Sequence, residues 1–257
     1  MLSETLRDSL RKGTAISGCT LSLNAPELVE ICGIGGFDFV FLDAEHGPLS
    51  EREVQTMIMA ADAVGMASLV RVPANDPRVI LRFMDVGASG IFVPDIESKD
   101  EAERAVKAVK YVPLGERGLS STRSAWYGQK MGLGEYTKYA NEKSVVICQI
   151  ESKKGVEKAE EILSLDLLDG VLIGTTDLSN SLGKAGQRDN PEVNQAVTHV
   201  IEKARAAGKA YGAVVRPGES PRRYLSQGYG IILGSGNSFF AGAAKQFVKE
   251  FKAGPQA

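Results

Sequence analysis

The chain predicts an α/β protein closing into a (β/α)8 TIM barrel, and three observations carry that expectation. Eight short apolar runs occur along 257 residues, near 15–22, 37–43, 67–73, 89–94, 144–150, 169–174, 210–215 and 229–233. Amphipathic stretches such as Glu51–Val64, Glu101–Tyr111 and Pro191–Ala207 separate them, each closed by a glycine or a polar turn. Several runs, among them Phe37-Asp38-Phe39-Val40-Phe41-Leu42 and Val145-Val146-Ile147-Cys148, are apolar on both faces, as parallel strands covered by helices are. Regular strand–helix alternation at this length fits one barrel domain spanning 1–257, with a doubly wound open sheet as the structural rival.

Composition narrows the function. A net charge of −2 points neither to nucleic acid nor to an anionic membrane. No apolar run approaches the 18 residues of a membrane span. Met1 to Gly13 reads as a charged amphipathic helix without the apolar centre of a signal peptide. Cys19, Cys32 and Cys148 lack metal-ligand spacing and sit among apolar neighbours, which suits core packing in a reducing cytoplasm. The stretch between Tyr111 and Ser144 holds five glycines and no strand; as a long insertion after strand 4 it is expected to hang over the catalytic face.

Barrel enzymes work at the C-terminal ends of their strands. Here those ends are polar: Asp43, Glu45 and His46 after strand 2, Arg71 after strand 3, Asp95 after strand 4, Gln149 and Glu151 after strand 5, Thr175, Thr176 and Asp177 after strand 6, and Arg216 after strand 7. Glu151 and Asp177, on consecutive strands, are candidate ligands for a hard divalent cation, with helix capping as the alternative. His46 suits proton transfer near neutral pH, and Asp43 stands where it could fix the imidazole tautomer. Arg71 is placed either to neutralise a developing oxyanion or simply to pair with a neighbouring carboxylate. The Gly174-Thr175-Thr176 turn offers backbone N–H groups to a carboxylate, and Gly234-Ser235-Gly236 reads as a plain turn, with a phosphate site as the alternative. No lysine ends a strand, which disfavours Schiff-base chemistry.

Five segments in order resemble a known family: Leu42-Asp43-Ala44-Glu45-His46-Gly47-Pro48, Val70-Arg71-Val72-Pro73-Ala74-Asn75-Asp76-Pro77, Asp85-Val86-Gly87-Ala88, Gln149-Ile150-Glu151-Ser152 and Ile173-Gly174-Thr175-Thr176-Asp177. They are similar to the metal-dependent (class II) pyruvate aldolases typified by 4-hydroxy-2-oxoheptanedioate aldolase and 2-dehydro-3-deoxyglucarate aldolase. The resemblance implies a TIM barrel whose last helix is exchanged between subunits of a hexamer, and reversible cleavage of a 4-hydroxy-2-oxo acid to pyruvate and an aldehyde through a metal-stabilised enolate. It implies that Glu151 and Asp177 bind Mg²⁺, Mn²⁺ or Co²⁺, that Gln149 lies near the pyruvate, that Arg71 stabilises the enolate, and that His46, paired with Asp43, moves the proton. Oxaloacetate chemistry, either decarboxylation or a citrate-forming synthase, is the alternative within the family; a non-catalytic sensor of small acids is the alternative outside it. The chain departs from the family pattern at Thr20, where many members carry Trp, at Thr175-Thr176, where Pro is common, and at Asp95 and Arg216, which replace residues that are often apolar. Arg123, in the long insertion, is a candidate for the distal carboxylate of the second substrate, or a surface arginine.

Overall fold

The computed structural model describes residues 6–253, so the first five residues of the expected N-terminal helix lie outside it. Eight parallel strands close into a barrel in sequence order: β1 (Ile16–Leu21), β2 (Phe39–Asp43), β3 (Ala67–Arg71), β4 (Gly90–Val93), β5 (Val145–Ile150), β6 (Gly170–Ile173), β7 (Ala210–Val214) and β8 (Ile231–Ser235). The helices are α1 (Leu6–Arg11), α2 (Pro26–Ile34), α3 (Glu51–Ala63), α4 (Pro77–Asp85), α5 (Lys99–Val109), α6 (Leu133–Lys143), α7 (Lys153–Glu157), α8 (Ala159–Leu163), α9 (Thr175–Ser181), α10 (Pro191–Ala206), α11 (Pro221–Ser226) and α12 (Gly236–Ala253). All eight expected strands are present, and the open-sheet rival is excluded because β1 pairs with β8.

Local chemistry sets the helix starts. Ser50 and Glu53 form a reciprocal capping box at α3. Asp76 and Asn190 cap α4 and α10, each followed by a proline at the first helical position. The strands then divide their side chains by period two. Phe39, Phe41, Leu69, Phe92, Ile147, Leu172 and Leu233 fill the barrel interior, while Val40, Leu42, Val70, Ile91 and Val146 pack outward on the helices. Gly18 is required opposite Phe39, since a Cβ there would lie 2.4 Å from the ring.

Leu6 and Leu10 of α1 join the interior cluster and close the barrel at the N-terminal ends of the strands. Arg7, 2% exposed, anchors this plug. Its Nε donates to Asp169 Oδ1 at 2.6 Å and its Nη1 to the carbonyls of Asn141 and Glu142. The other Asp169 oxygen accepts the Val146 N–H, so one buried ion pair ties α1 to the starts of β5 and β6.

Two features at the rim matter for function. The stretch from Lys110 to Ser144 follows α5 and leads into β5, which places it at the N-terminal end of the barrel, not over the C-terminal face. The expectation of a lid over the catalytic face is therefore wrong. The insertion belongs to a helix-to-strand connection, and only strand-to-helix connections reach the catalytic end. It is also not structureless: a 3₁₀ turn at Arg123–Gly128 and α6 pack Tyr111, Trp126 and Tyr136 edge to face. The other feature is α12, none of whose residues is buried. Phe240, Phe247 and Phe251 are 72–78% exposed, and the helix touches the barrel chiefly at β1 and β8.

Replacing Arg7 by Ala would leave the Asp169 carboxylate buried without its counter-charge. Urea unfolding should register a loss of about 3–5 kcal/mol; a change below about 1 kcal/mol would mean that α1 contributes no more than surface packing.

Candidate active site

The polar strand ends converge on one mouth of the barrel. A cleft of about 730 Å³ is lined there by His46, Arg71, Gln149, Glu151, Gly174, Thr175, Thr176, Asp177 and Arg216, with Glu45 and Asp95 beside it. Strand register explains the convergence: Asp43 and Arg71 are paired positions on β2 and β3, and Gln149 and Ile150 on β5 face Leu172 and Ile173 on β6.

Glu151 is 4% exposed. Its Oε1 accepts the Asp95 N–H at 2.9 Å, and both its oxygens lie within reach of the Gln149 amide, at 3.2 and 2.9 Å. Asp95 reaches this position with φ +52, a left-handed conformation uncommon for a residue other than glycine. Gly174 is required for a different reason: a Cβ there would sit 2.3 Å from Glu151 Oε2. Burial, with the neighbouring charges of Asp95, Glu45 and Asp177, pushes the Glu151 carboxyl up to about 7, against the opposing N–H of Asp95. Asp177 stands exposed in the first turn of α9 on the same cleft.

Asp43 and Arg71 form a two-pronged pair, Nε to Oδ1 at 2.9 Å and Nη2 to Oδ2 at 2.5 Å. Burial opposes the charge on Asp43, yet the two bonds from Arg71 and the N–H groups of His46 and Glu45 outweigh it and hold the carboxyl below its usual range. Arg71 Nη1 lies 3.1 Å from Glu45 Oε2 without hydrogen-bond alignment, and its guanidinium stacks over Phe41. The ion-pair reading of Arg71 therefore holds, and it fixes the guanidinium in the cleft wall.

Two expectations need correction. Asp43 does not partner the His46 imidazole: its carboxylate takes the backbone N–H of His46 at 3.1 Å, and its oxygens are committed to Arg71. The imidazole is 61% exposed, with Glu45 Oε2 3.9 Å from Nε2. A spacing of three residues placed Asp43 beside the main chain of the turn, where it caps the backbone. Arg123 is also not at the cleft. Its Nη2 pairs with Asp62 at 2.5 Å and its Nη1 donates to the Val86 carbonyl, at the opposite end of the barrel, where the insertion lies.

Three contributions emerge only from the structure: in the sequence Glu45 and Asp95 read as polar strand ends without a role, and Asp189 is not singled out. Glu45 closes the ring of charge around Arg71, the backbone of Asp95 holds Glu151, and Asp189 pairs with Arg216 at the rim. Glu45 was visible as a third carboxylate beside His46; the roles of Asp95 and Asp189 depend on loop conformation and left no sequence signal. Lys110 has a pKa lowered to about 7, chiefly by burial and then by the charge of Arg7. That value alone would suit an imine-forming lysine, but its Nζ is enclosed by Asn141 and Ser144 oxygens at the far end of the barrel. Gly234-Ser235-Gly236, expected as a plain turn, instead ends β8 and opens α12 directly, with Ser235 Oγ accepting the Ser238 N–H.

A family model described as HpcH/HpaI aldolase/citrate lyase matches residues 17–239. The chain belongs to this family. It is 34% identical over 237 residues to 5-keto-4-deoxy-D-glucarate aldolase of Shigella dysenteriae, covering 91% of each chain. Among solved structures, an HpcH/HpaI aldolase/citrate lyase family protein from Burkholderia cenocepacia superposes with a TM-score of 0.91 at 31% identity, covering 96% of this chain and 99% of that one. Citrate synthase SbnG gives a TM-score of 0.85 at 31% identity, covering 99% and 100%. The HpcH/HpaI chain described here is accordingly a carbon–carbon lyase of the aldolase type.

The raised Glu151 carboxyl has a sign that can be tested. The folded protein binds this proton more tightly than the unfolded chain, so the contribution is fully present below pH 4.5 and is lost as pH rises to about 7. In chelator-treated protein, stability relative to Glu151→Gln should decline across that window and level off above it. A parallel pH profile for the two proteins would place the titration elsewhere.

Proposed function

We propose that this chain reversibly cleaves a 4-hydroxy-2-oxo acid of the 2-keto-3-deoxy sugar acid type to pyruvate and an aldehyde, with Mg²⁺, Mn²⁺ or Co²⁺ held by Glu151 and Asp177. The observation that carries this reading is Glu151: a carboxylate buried beside three others, at the barrel mouth and within the field of Arg71. Such crowding of negative charge fits a hard cation bound through oxygen. Two protein carboxylates would leave the remaining positions of such a cation to water and substrate. The buried Gln149 Oε1, which lacks a hydrogen-bond partner, adds a further oxygen beside them. A divalent cation supplies Lewis acidity for a 2-oxo group.

The chain's own residues do the rest. Arg71 presents a fixed positive charge toward the enolate oxygen, and the Asp43 clamp means that no reorganisation is needed as that charge develops. Gly174, Thr175 and Thr176 line the wall suited to the pyruvate carboxylate. His46, exposed at the cleft with a carboxylate 3.9 Å away, takes the C4 hydroxyl proton in cleavage and returns it in condensation. Lys110 is sealed at the opposite end of the barrel, which argues against an imine.

The name of the Shigella relative supports a sugar-acid substrate. The likeness to citrate synthase SbnG supports the second reading, in which the same carbanion comes from oxaloacetate or attacks another electrophile. Assembly is part of the proposal: the exposed aromatic face of α12 suits exchange between subunits of a hexamer. So is a reducing cytoplasm, which suits three free cysteines; no helix among the described residues is long and apolar enough to cross a membrane.

Proton NMR of pyruvate in D₂O tests the reading. The methyl signal should vanish with enzyme and Mg²⁺ and persist after EDTA. Exchange that survives EDTA, with inactivation by borohydride plus pyruvate, would replace the metal with a lysine imine. His46→Ala should slow aldol cleavage by about 10²–10⁴-fold and oxaloacetate decarboxylation far less, because decarboxylation removes no hydroxyl proton. Equal losses in both would reduce His46 to shaping the cleft.

A further inference from the structure

The wall of the cleft on the β7 side carries a feature that the reaction outlined above does not use. Arg216 follows β7 by two residues and lines the same cleft as Glu151, Asp177 and the Gly174–Thr176 turn. β7 is the barrel neighbour of β6, and neighbouring strands stand roughly 4.8 Å apart. A molecule seated at the end of β6 and extending sideways therefore meets Arg216 next.

Five arginines line the cleft, Arg71, Arg188, Arg205, Arg216 and Arg223, and three of them are committed to partners elsewhere in the fold. Arg71 is committed to Asp43 through two bonds. Arg205 donates to Tyr211 Oη and the Gln227 carbonyl, and Arg223 pairs with Glu219 within one turn of helix. Arg216 is only 25% exposed at its side chain, yet its ion-pair partner is Asp189, whose side chain is 87% exposed. Its second contact, Nη2 to the Arg188 carbonyl, is long at 3.4 Å. An ion pair with so exposed a carboxylate contributes little. A carboxylate arriving within the cleft would meet the same planar fork in a drier setting, where the pair is stronger.

The opposite wall works in the same direction. Glu45 and Asp95 line the β2–β4 side, whereas the β7 side sets Arg188, Arg205, Arg216 and Arg223 against Asp189, Glu202 and Glu219, so an anionic tail is repelled less toward β7. Charge thus gives the cleft a polarity across its width.

We propose that Arg216 is a specificity-determining residue: it binds the far carboxylate of the electrophile, displacing Asp189, so that the favoured partner of the enolate is an aldehyde ending in a carboxylate. This rests on the enolate reading given above. The role expected of Arg123 passes to a residue on the correct end of the barrel.

Condensation of pyruvate with succinic semialdehyde and with butanal, an uncharged aldehyde of the same chain length, tests it. The readout is the ratio of kcat/KM for the two aldehydes at saturating Mg²⁺. Arg216→Leu should lower that ratio by about 10–100-fold, the range for a hydrogen-bonded charge pair, chiefly through KM for the acidic aldehyde. Arg216→Lys should fall between, since it keeps the charge and loses the fork. Asp189→Asn, an exposed change that leaves the fold intact, should raise the ratio by removing the competitor. An unchanged ratio in Arg216→Leu, or an equal fall for both aldehydes, would overturn the assignment. Pyruvate methyl exchange by the unaltered protein separates the two levels: exchange with an unmoved ratio sinks only the role of Arg216, while no exchange sinks the enolate reading and this inference with it.

Discussion

The structure depends on keeping one carboxylate, Glu151, out of water at the end of β5 without giving it a cation of its own. An uncompensated buried charge is costly, and the fold limits that cost by local means. The Gln149 amide and the Asp95 N–H satisfy its oxygens, Asp95 accepting a left-handed backbone to do so, and Gly174 leaves room for them. What these contacts do not supply is charge neutralisation, which is why its proton affinity rises to about 7. A site built in this way is prepared to receive positive charge.

Around it, roles separate by rigidity. The Asp43–Arg71 pair is buried, two-pronged and supported by backbone N–H groups, so the guanidinium has a single position. His46 hangs in solvent, free to rotate between a substrate and water. In the proposed reaction the first would serve as a fixed charge beside the enolate and the second as a mobile proton carrier. Arg216, tethered by an exposed carboxylate and one long bond to a carbonyl, is the group to which the proposal gives an exchangeable partner.

The other end of the barrel is organised for closure. Leu6 and Leu10 plug the interior, Arg7 and Asp169 lock the plug, and the Lys110–Ser144 insertion packs its aromatic residues beneath the strands. The groups there that resemble catalytic ones, Lys110 and Arg123, are consumed by structure. Their burial and hydrogen bonds are as elaborate as those at the mouth. The α12 helix stands apart from both ends: Phe239 packs against Phe37 of its own chain, while Phe240, Phe247 and Phe251 stay exposed.

Much of this was legible in the residues themselves. Period-two apolar runs bounded by capped helices specify strands and their spacing locally, so eight strands and their polar C-terminal ends could be read directly, as could the gathering of Glu151, Asp177, Arg71 and His46 at one mouth. Capping by Ser50, Asp76 and Asn190 is likewise local chemistry. Tertiary structure decided whatever depended on which group reached which partner first. Asp43 had both an imidazole and a guanidinium within sequence reach, and strand pairing delivered Arg71. Arg123 and Arg216 are both loop arginines; only closure of the barrel puts one beneath it against Asp62 and the other at its mouth. Sequence determines the local period and the turn, while the competition among distant charges is settled by geometry that exists only once the barrel has closed.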